Sequence, residues 1–325
     1  MGEMLFADAL NSALHAELER NPKLILLGED IGRSGGVFRI TVGLQAKFGA
    51  SRVVDTPVAE AGIIGTAVGL CLSGMRPVCE LQFDAFSYPA LNQIITHVGR
   101  YRWRTRGKAP MPMVIRIPCG GGVRAPELHS DSPEAYFCHT PGLTVVAPST
   151  AADAKGMLTA AMRGEDPVIF FEPKKFYRHL RGEVPDGDHV VPLGKVRTAR
   201  EGTELTLFAW GAMMEIALAA ADALGREGVT AHVCDVRTLA PLDEEGLLAA
   251  ARATGRVVIV QESPRHCGVA SEIAALLAEH AMYDLKAPIQ RVSGFDVPHP
   301  YYSIEHYQRP DAARVIDAAH RALEM

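Results

Sequence analysis

Short apolar runs of four to six residues alternate along this 325-residue chain with longer segments of helical period. In the first part the runs are KLILLG (23–28), RVVD (52–55), PVCELQ (77–82), MVIRIP (113–118), LTVVA (143–147) and PVIFF (167–171). The alternation predicts a parallel sheet covered by helices. Helices are expected from about Pro57, Ser87, Pro133 and Ala151, and proline suits a first helical turn, where its missing N–H is not needed. The opening stretch MGEMLFADALNSALHAELER reads as an amphipathic helix.

Residues 178–195 (RHLRGEVPDGDHVVPLGK) are polar, rich in Gly and Pro and follow neither period, which marks a linker. Beyond it the alternation restarts with ELTLFAW, a helix from about Met213, VTAHVCDV, a helix from about Asp243, RVVIVQ, a helix over Val269–His280, and PIQRV. The expected fold class is α/β, with two doubly wound domains at residues 1–187 and 188–325.

A hydrophobic fraction of 48% against 22% charged residues is enough for two cores. The formal net charge of −5 leaves no basic stripe for a phosphate backbone, so nucleic acid is a poor reading. No run approaches the roughly 18 apolar residues of a membrane span, and the N-terminus lacks the layout of a signal or transit peptide. A soluble, cytoplasmic protein is expected. Cys71, Cys79, Cys119, Cys138, Cys234 and Cys267 contain no C-x-x-C pair, which predicts reduced, mostly buried thiols and not a zinc or dithiol site.

In open α/β sheets ligands bind beyond the carboxyl ends of the strands, and there this sequence is rich in chemistry. The first strand is followed by Glu29 and Asp30, then Gly32, Gly35 and Gly36; the second by Thr56 and Pro57, with Glu60 in the next turn. The third runs into Gln82, Phe83 and Phe86, and the fourth into Cys119, three glycines at 120–122 and, on the same loop, His129. Carboxylates, an amide, aromatic rings and a histidine on one rim can hold an aromatic heterocycle and exchange a proton with it. They also leave an imidazole for acid–base work on a substrate.

Each residue also has a plainer reading. The dipole of any helix start favours a carboxylate such as Glu60, by about 0.3–1 kcal/mol. However, AEAGIIGTAVGLCLSGM is apolar or small on every side, so this helix is expected to be buried all round, with a desolvated carboxyl group at its mouth. In ELHSDSPEAYF, Ser132-Pro133-Glu134 reads as an ordinary helix cap, which accounts for Ser132 and leaves His129 either a solvated loop residue or a catalyst. The triple glycine could cradle a phosphate, but no G-x-G-x-x-G or G-x-x-x-x-G-K-[ST] spacing accompanies it. Phe83 and Phe86 could be core aromatics, Gln82 a partner for buried backbone, and Glu29-Asp30 a turn. QESPRH (261–266) follows a strand of the second domain and is given no catalytic role.

Ten segments, in order, span nearly the whole chain: LLGEDIGRSGGVFRITVGL, RVVDTPVAEAGIIGTAVGL, RPVCELQFDAF, MVIRIPCGGG, LHSDSPEAYF, GLTVVAPST, DPVIFFEPK, LFAWGAM, DVRTLAPLD and SGFDVPHPY. In them the chain resembles the beta subunit of the thiamine-diphosphate-dependent first component of 2-oxo acid dehydrogenase complexes, of branched-chain or pyruvate type. The resemblance implies a first domain that binds the aminopyrimidine of thiamine diphosphate and a second like the carboxyl-terminal domain of transketolases. Glu60 of DTPVAEAGI would hydrogen-bond the pyrimidine nitrogen para to the amino group, favouring the imino tautomer that removes the thiazolium proton. Glu29, Val58, Ala59, Gln82 and Phe86 would line the cofactor, and Phe83, Asp84, Ala85 and Phe86 the substrate. Phe86 stands where branched-chain members often carry tyrosine, so it can stack but offers no hydroxyl. His129 matches the histidine that assists acylation of the lipoyl group. Main-chain carbonyls of Met111, Met113, Val114, Ala161, Gly164 and Asp166 would hold a monovalent cation, potassium.

Enzymes resembling this one bind magnesium and the diphosphate through Gly-Asp-Gly followed by asparagine. Here only Asn11, Asn21 and Asn92 occur, and the lookalike Asp186-Gly187-Asp188 has no asparagine after it. The resemblance therefore implies that magnesium and the diphosphate are held mainly by an alpha subunit, in an α2β2 heterotetramer with active sites at subunit interfaces. It also implies a lipoyl acyltransferase partner docked on the second domain. The expected reaction is oxidative decarboxylation of a small 2-oxo acid with acyl transfer to the lipoyl arm. Branched-chain acids are preferred over pyruvate because SPEA and LQFDAF look closer to branched-chain members, whereas APELHSDS looks equally like pyruvate members. One rival is half of a split transketolase or deoxyxylulose-phosphate synthase, for which Arg116 and Arg124 would serve a sugar phosphate. Another is a cofactor-free scaffold, which would be expected to lack Glu60 or His129 and lacks neither.

Overall fold

The computed structural model describes residues 2–324. The first part of the chain contributes β1 (Gly2–Leu5), β2 (Leu24–Gly28), β3 (Val53–Asp55), β4 (Arg76–Glu80), β5 (Val114–Cys119), β6 (Thr144–Val146), β7 (Val168–Pro173) and β8 (Arg181–Val184). The second contributes β9 (Arg197–Arg200), β10 (Leu205–Ala209), β11 (Ala231–Asp235), β12 (Thr238–Ala240), β13 (Val257–Pro264) and β14 (Gln290–Gly294). The main sheet has the order β12-β6-β7-β5-β4-β2-β3 and is parallel except for β12; the second has the order β14-β13-β10-β11-β9 and is parallel except for β9. Strands β2, β7, β10 and β11 are buried along their whole length. Their continuous apolar runs follow from helices lying on both faces.

Each expected strand and each expected long helix is present within a few residues, and the Val269–His280 helix has the expected bounds. The chain ends and the linker differ. Residues 2–5 do not begin the first helix, which starts at Phe6; they form β1, paired antiparallel with β8 from inside the expected linker. A two-stranded ribbon satisfies backbone N–H and C=O groups by pairing alone, so neither partner needs an alternating apolar pattern to be found. Strand β12 comes from the second half of the sequence yet adds a seventh strand to the main sheet, antiparallel to β6. The two halves also share apolar core: Leu14 and Met157 belong to one cluster with Leu207, Met213 and Val315.

The Glu60–Leu72 helix is not buried all round. Ile63, Ile64, Ala67 and Cys71 face the core, whereas Gly62, Thr66, Gly69 and Leu72 form an exposed face. Glycine and threonine raise the apolar character of a helix without needing burial, which is why the pattern misled. No helix among the described residues is long and apolar enough to cross a membrane. All six cysteines are free thiols, with Cys71, Cys79 and Cys234 buried and Cys267 exposed.

The fold positions a site at β2. The chain leaves β2 for the edge strand β3, then returns to the other side of β2 for β4. Strand order reverses there, and in open α/β sheets such a reversal opens a crevice beyond the carboxyl ends. Residues 29, 56–60, 82–86 and 119–129 all follow strands at this end.

Candidate active site

Glu29 directly follows the buried strand β2 and is itself buried, while Glu60 opens the helix after β3 and is half-buried. Burial pushes the Glu29 carboxyl above its ordinary range, and the negative charges of Glu60 and then Asp30 push it further. Both effects favour the protonated form of Glu29. Thr56, whose N–H donates to the Gly28 carbonyl at 2.9 Å, has a buried Oγ1 without a hydrogen-bond partner among the described residues. Val58 and Ala59 are exposed on the rim, Val58 at 78%.

Gln82 lies across the crevice from this pair. Its Nε2 donates to the Glu29 carbonyl at 3.5 Å and to Asp30 Oδ2 at 3.4 Å. The half-buried rings of Phe83 and Phe86 stand edge to face with centroids 5.5 Å apart. His129 packs on both, 4.2 Å from Phe83 and 5.0 Å from Phe86. The Nδ1 of His129 sits 2.8 Å from the Glu127 carbonyl, which can only accept, so Nδ1 carries a proton and donates to it. The fold thus brings Glu29, Glu60, Gln82, Phe83, Phe86 and His129 to one edge of one sheet.

Two residues of the FDAF segment do not present side chains there. Asp84 is fully buried in an ion pair with the buried Lys174, and Ala85 is buried behind it. The expectation that Asp84 lines the substrate is corrected to a supporting contact: its carboxylate needs a cation in the interior, and Lys174 also lies 5.7 Å from the Phe83 ring centroid. Nor does Ser132 cap a helix. Pro133 occupies the cap position of the Glu134–Cys138 helix, which has no side-chain cap. Glu134 instead turns inward to accept from Trp210 Nε1 at 3.3 Å, and burial raises its carboxyl to about 7. It lines a small cavity with Cys119, Trp210 and Glu262.

The arginines considered for a sugar phosphate are both engaged. Arg116 is 1% exposed; its guanidinium forms a two-pronged contact with Glu172 at 2.6 and 2.8 Å and reaches Glu80 at 2.6 Å. Arg124 lies 5.0 Å from the ring centroid of Tyr302. The segments expected to hold a monovalent cation do meet, since the Met111 N–H donates to the Glu165 carbonyl at 3.1 Å. A cation is already present among these carbonyls: the Arg76 guanidinium donates to Met162 O at 3.2 Å and to Gly164 O, and pairs with Glu165 at 2.8 Å. Asp188 of the Gly-Asp-Gly lookalike pairs with Arg163. Among the described residues no group of three His, Cys, Asp or Glu could hold a metal ion.

Sequence reasoning missed the second domain's share of this rim. Glu262 lies within β13, which continues to Pro264, and accepts from the Gly121 N–H at 2.7 Å. Glu305 accepts from the N–H groups of Gly122 and Arg124, the latter at 2.9 Å. The amides considered for a phosphate are therefore filled by the protein's own carboxylates. The only sequence signal was the glycine triplet, which marks close approach by something but does not say what.

Residues 3–179 match the model of the transketolase pyrimidine-binding domain, and residues 194–315 that of the transketolase C-terminal domain. The 2-oxoisovalerate dehydrogenase subunit beta of Bacillus subtilis (strain 168) is 47% identical over 92% of this chain and 91% of its own length. The pyruvate dehydrogenase E1 component subunit beta of Leifsonia xyli subsp. xyli is 49% identical over 97% of this chain and 93% of its own. Among solved structures, a split gene transketolase described as an inactive beta4 tetramer superposes with a TM-score of 0.81 at 27% identity, covering 99% of both chains. The split transketolase is thus the more distant likeness, and the dehydrogenase subunits match at much higher identity over nearly the full chain. This chain belongs to the family of E1 beta subunits of 2-oxo acid dehydrogenases, oxidoreductases whose first component is built with an alpha-subunit partner.

Proposed function

We propose that this chain supplies the proton-handling half of a thiamine diphosphate site, completed by an alpha subunit in an α2β2 assembly, for oxidative decarboxylation of a branched-chain 2-oxo acid. The observation that carries the reading is the Glu29–Glu60 pair, in which burial and the Glu60 charge raise the Glu29 carboxyl at the mouth of the crevice. A carboxyl pair, an amide and apolar rings suit an aminopyrimidine, which needs a carboxyl partner for a ring nitrogen and apolar faces above and below. Glu60 would hold that nitrogen, with Gln82, the exposed Val58–Ala59 turn and the Phe86 ring around it. When bound, thiamine diphosphate supplies a carbon nucleophile for the 2-oxo group and takes up the electron pair left as carbon dioxide departs. Glu60 would move the proton that controls this chemistry, and Glu29 would keep a shared proton in the pair. Phe83 and Phe86 would offer the acyl chain an apolar wall. His129, with Nε2 free to accept or deliver a proton, would serve acyl transfer to the lipoyl arm of an acyltransferase partner. Magnesium and the diphosphate are assigned to the alpha subunit.

The substrate assignment is tested by dye-coupled oxidation in the heteromer formed with the alpha subunit. An apolar pocket distinguishes substrates by about 10- to 200-fold per methylene, so kcat/KM for 3-methyl-2-oxobutanoate should exceed that for pyruvate by at least about tenfold. A higher value for pyruvate overturns the branched-chain choice. A potassium ion at the carbonyls of residues 111–114 and 161–166 also belongs to this reading. It would share the Gly164 carbonyl with Arg76, which the second lone pair allows. Exchanging potassium for tetramethylammonium should then lower the thermal midpoint of the heteromer; an unchanged midpoint removes the ion and leaves Arg76 as the sole cation there.

A further inference from the structure

The loop that carries His129 is long. After β5 ends at Cys119, residues 120–131 leave the sheet and return, closed at the base by Gly120 N–H donating to the Asp131 carbonyl at 2.9 Å. Along its near limb the N–H groups of Gly121, Gly122 and Arg124 donate outside the loop. Successive amides of this kind form an anion-binding concavity. Here the anions are Glu262 and Glu305, the latter 183 residues from Gly122 in sequence. Both carboxylates are supported from behind: Arg309 Nε reaches Glu262 at 2.8 Å, and His299 Nε2 lies 3.6 Å from Glu305. Glu305 is itself buried. This approach also explains the glycines. A Cβ on Gly121 would come within 2.6 Å of Glu305 Oε1, and Gly122 combines a φ of +90° with Arg309 Nη1 at 2.6 Å from where its Cβ would stand.

We infer that Glu305 is a positioning residue for acyl transfer: from the second domain it fixes the limb of the 120–131 loop whose other end presents His129 to the lipoyl arm. The inference rests on the assignment of His129 to that half-reaction. Charge-assisted hydrogen bonds from two backbone N–H groups to one carboxylate are stronger than neutral ones and set an orientation. Elsewhere along this limb Tyr301 Oη donates to Glu127 at 3.0 Å and Arg124 lies over Tyr302, both at the exposed surface, while at the far end Tyr88 Oη donates to Asp131 at 2.7 Å and His129 packs on Phe83 and Phe86. Changing Glu305 to glutamine keeps the size of the side chain but turns one acceptor into a donor, so one of the two amides faces an NH2 group. The loop loses an anchor, and His129 spreads over more orientations against Phe83 and Phe86.

The test compares two reactions of the heteromer, using 3-methyl-2-oxobutanoate or pyruvate, whichever turns over. One is dye-coupled oxidation; the other is acylation of an isolated lipoyl domain. Misplacement of about an ångström can cost up to about 10²-fold, so Glu305→Gln should lower lipoyl acylation by about tenfold or more, with a clearly smaller change in the dye reaction. In a His129→Ala background the same substitution should add less than about twofold, because its effect runs through the imidazole. Glu305→Asp, which keeps the charge, should show the same pattern in weaker form and serves if the glutamine variant does not assemble. Equal losses in both reactions, or a full tenfold loss on top of His129→Ala, would overturn the inference and make Glu305 a general structural residue. If His129→Ala alone acylates the lipoyl domain at the wild-type rate, the assignment of His129 fails, and this inference with it.

Discussion

Replacing Glu60 by glutamine is expected to lower turnover of the heteromer by about 10² to 10⁴, the usual contribution of one positioned acid–base group. The amide has the shape of the carboxyl group and can still donate a hydrogen bond, so the crevice keeps its form. It cannot ionise, and it removes from Glu29 the negative charge that, after burial, contributes most to raising that carboxyl. Cofactor affinity, read by calorimetry, should fall far less than turnover, because Gln82, Phe86 and the Val58–Ala59 turn remain. A Glu60→Gln enzyme with the wild-type rate would remove the proton-handling role and leave Glu60 as a helix-start carboxylate.

The second large effect is on stability. Arg116 is central to a buried network: Glu80 of β4 and Glu172 of β7 flank it across β5, and Tyr177 Oη donates to Glu172 at 2.6 Å. Burial raises the Glu80 carboxyl, and Arg116 opposes that rise. Arg116→Met would leave two carboxylates in the interior without their cation, at a cost of about 3–5 kcal/mol. Urea unfolding followed by circular dichroism should show that loss. Replacing Glu80, Arg116 and Glu172 together by apolar residues of similar volume should restore much of it, since a well-packed apolar core can match a buried ion network. A loss below about 1 kcal/mol for Arg116→Met alone would mean that water reaches the network. The consequence extends to the site, because Glu80 lies two residues before Gln82 and the network aligns the strand ends that carry Gln82 and His129.

The strands and long helices could be read from the sequence because their apolar runs are buried on both faces, and the strand ends then pointed to Glu29, Glu60, Gln82, Phe83, Phe86 and His129. Other features had no local signal. β1 and β8 pair through backbone alone, and β12 crosses from the second half to complete the main sheet. The resemblance placed Asp84 at the substrate through the FDAF segment, yet its partner Lys174 lies ninety residues further on. Glu262 and Glu305 could not be linked to the glycine triplet by any spacing rule, since the contact exists only once the two domains pack. The Glu60–Leu72 helix shows the opposite failure, where small residues imitated a buried pattern on an exposed face.

On the proposed reading, the carboxyl group of Glu60 controls proton removal from the cofactor. Deuterium exchange at the thiazolium carbon of thiamine diphosphate, bound to the heteromer and followed by quenched-flow NMR, reads that step without substrate. Glu60→Gln is expected to slow exchange by at least about 10² while the cofactor stays bound; exchange at the wild-type rate in the variant would mean that the Glu60 carboxyl group does not move this proton.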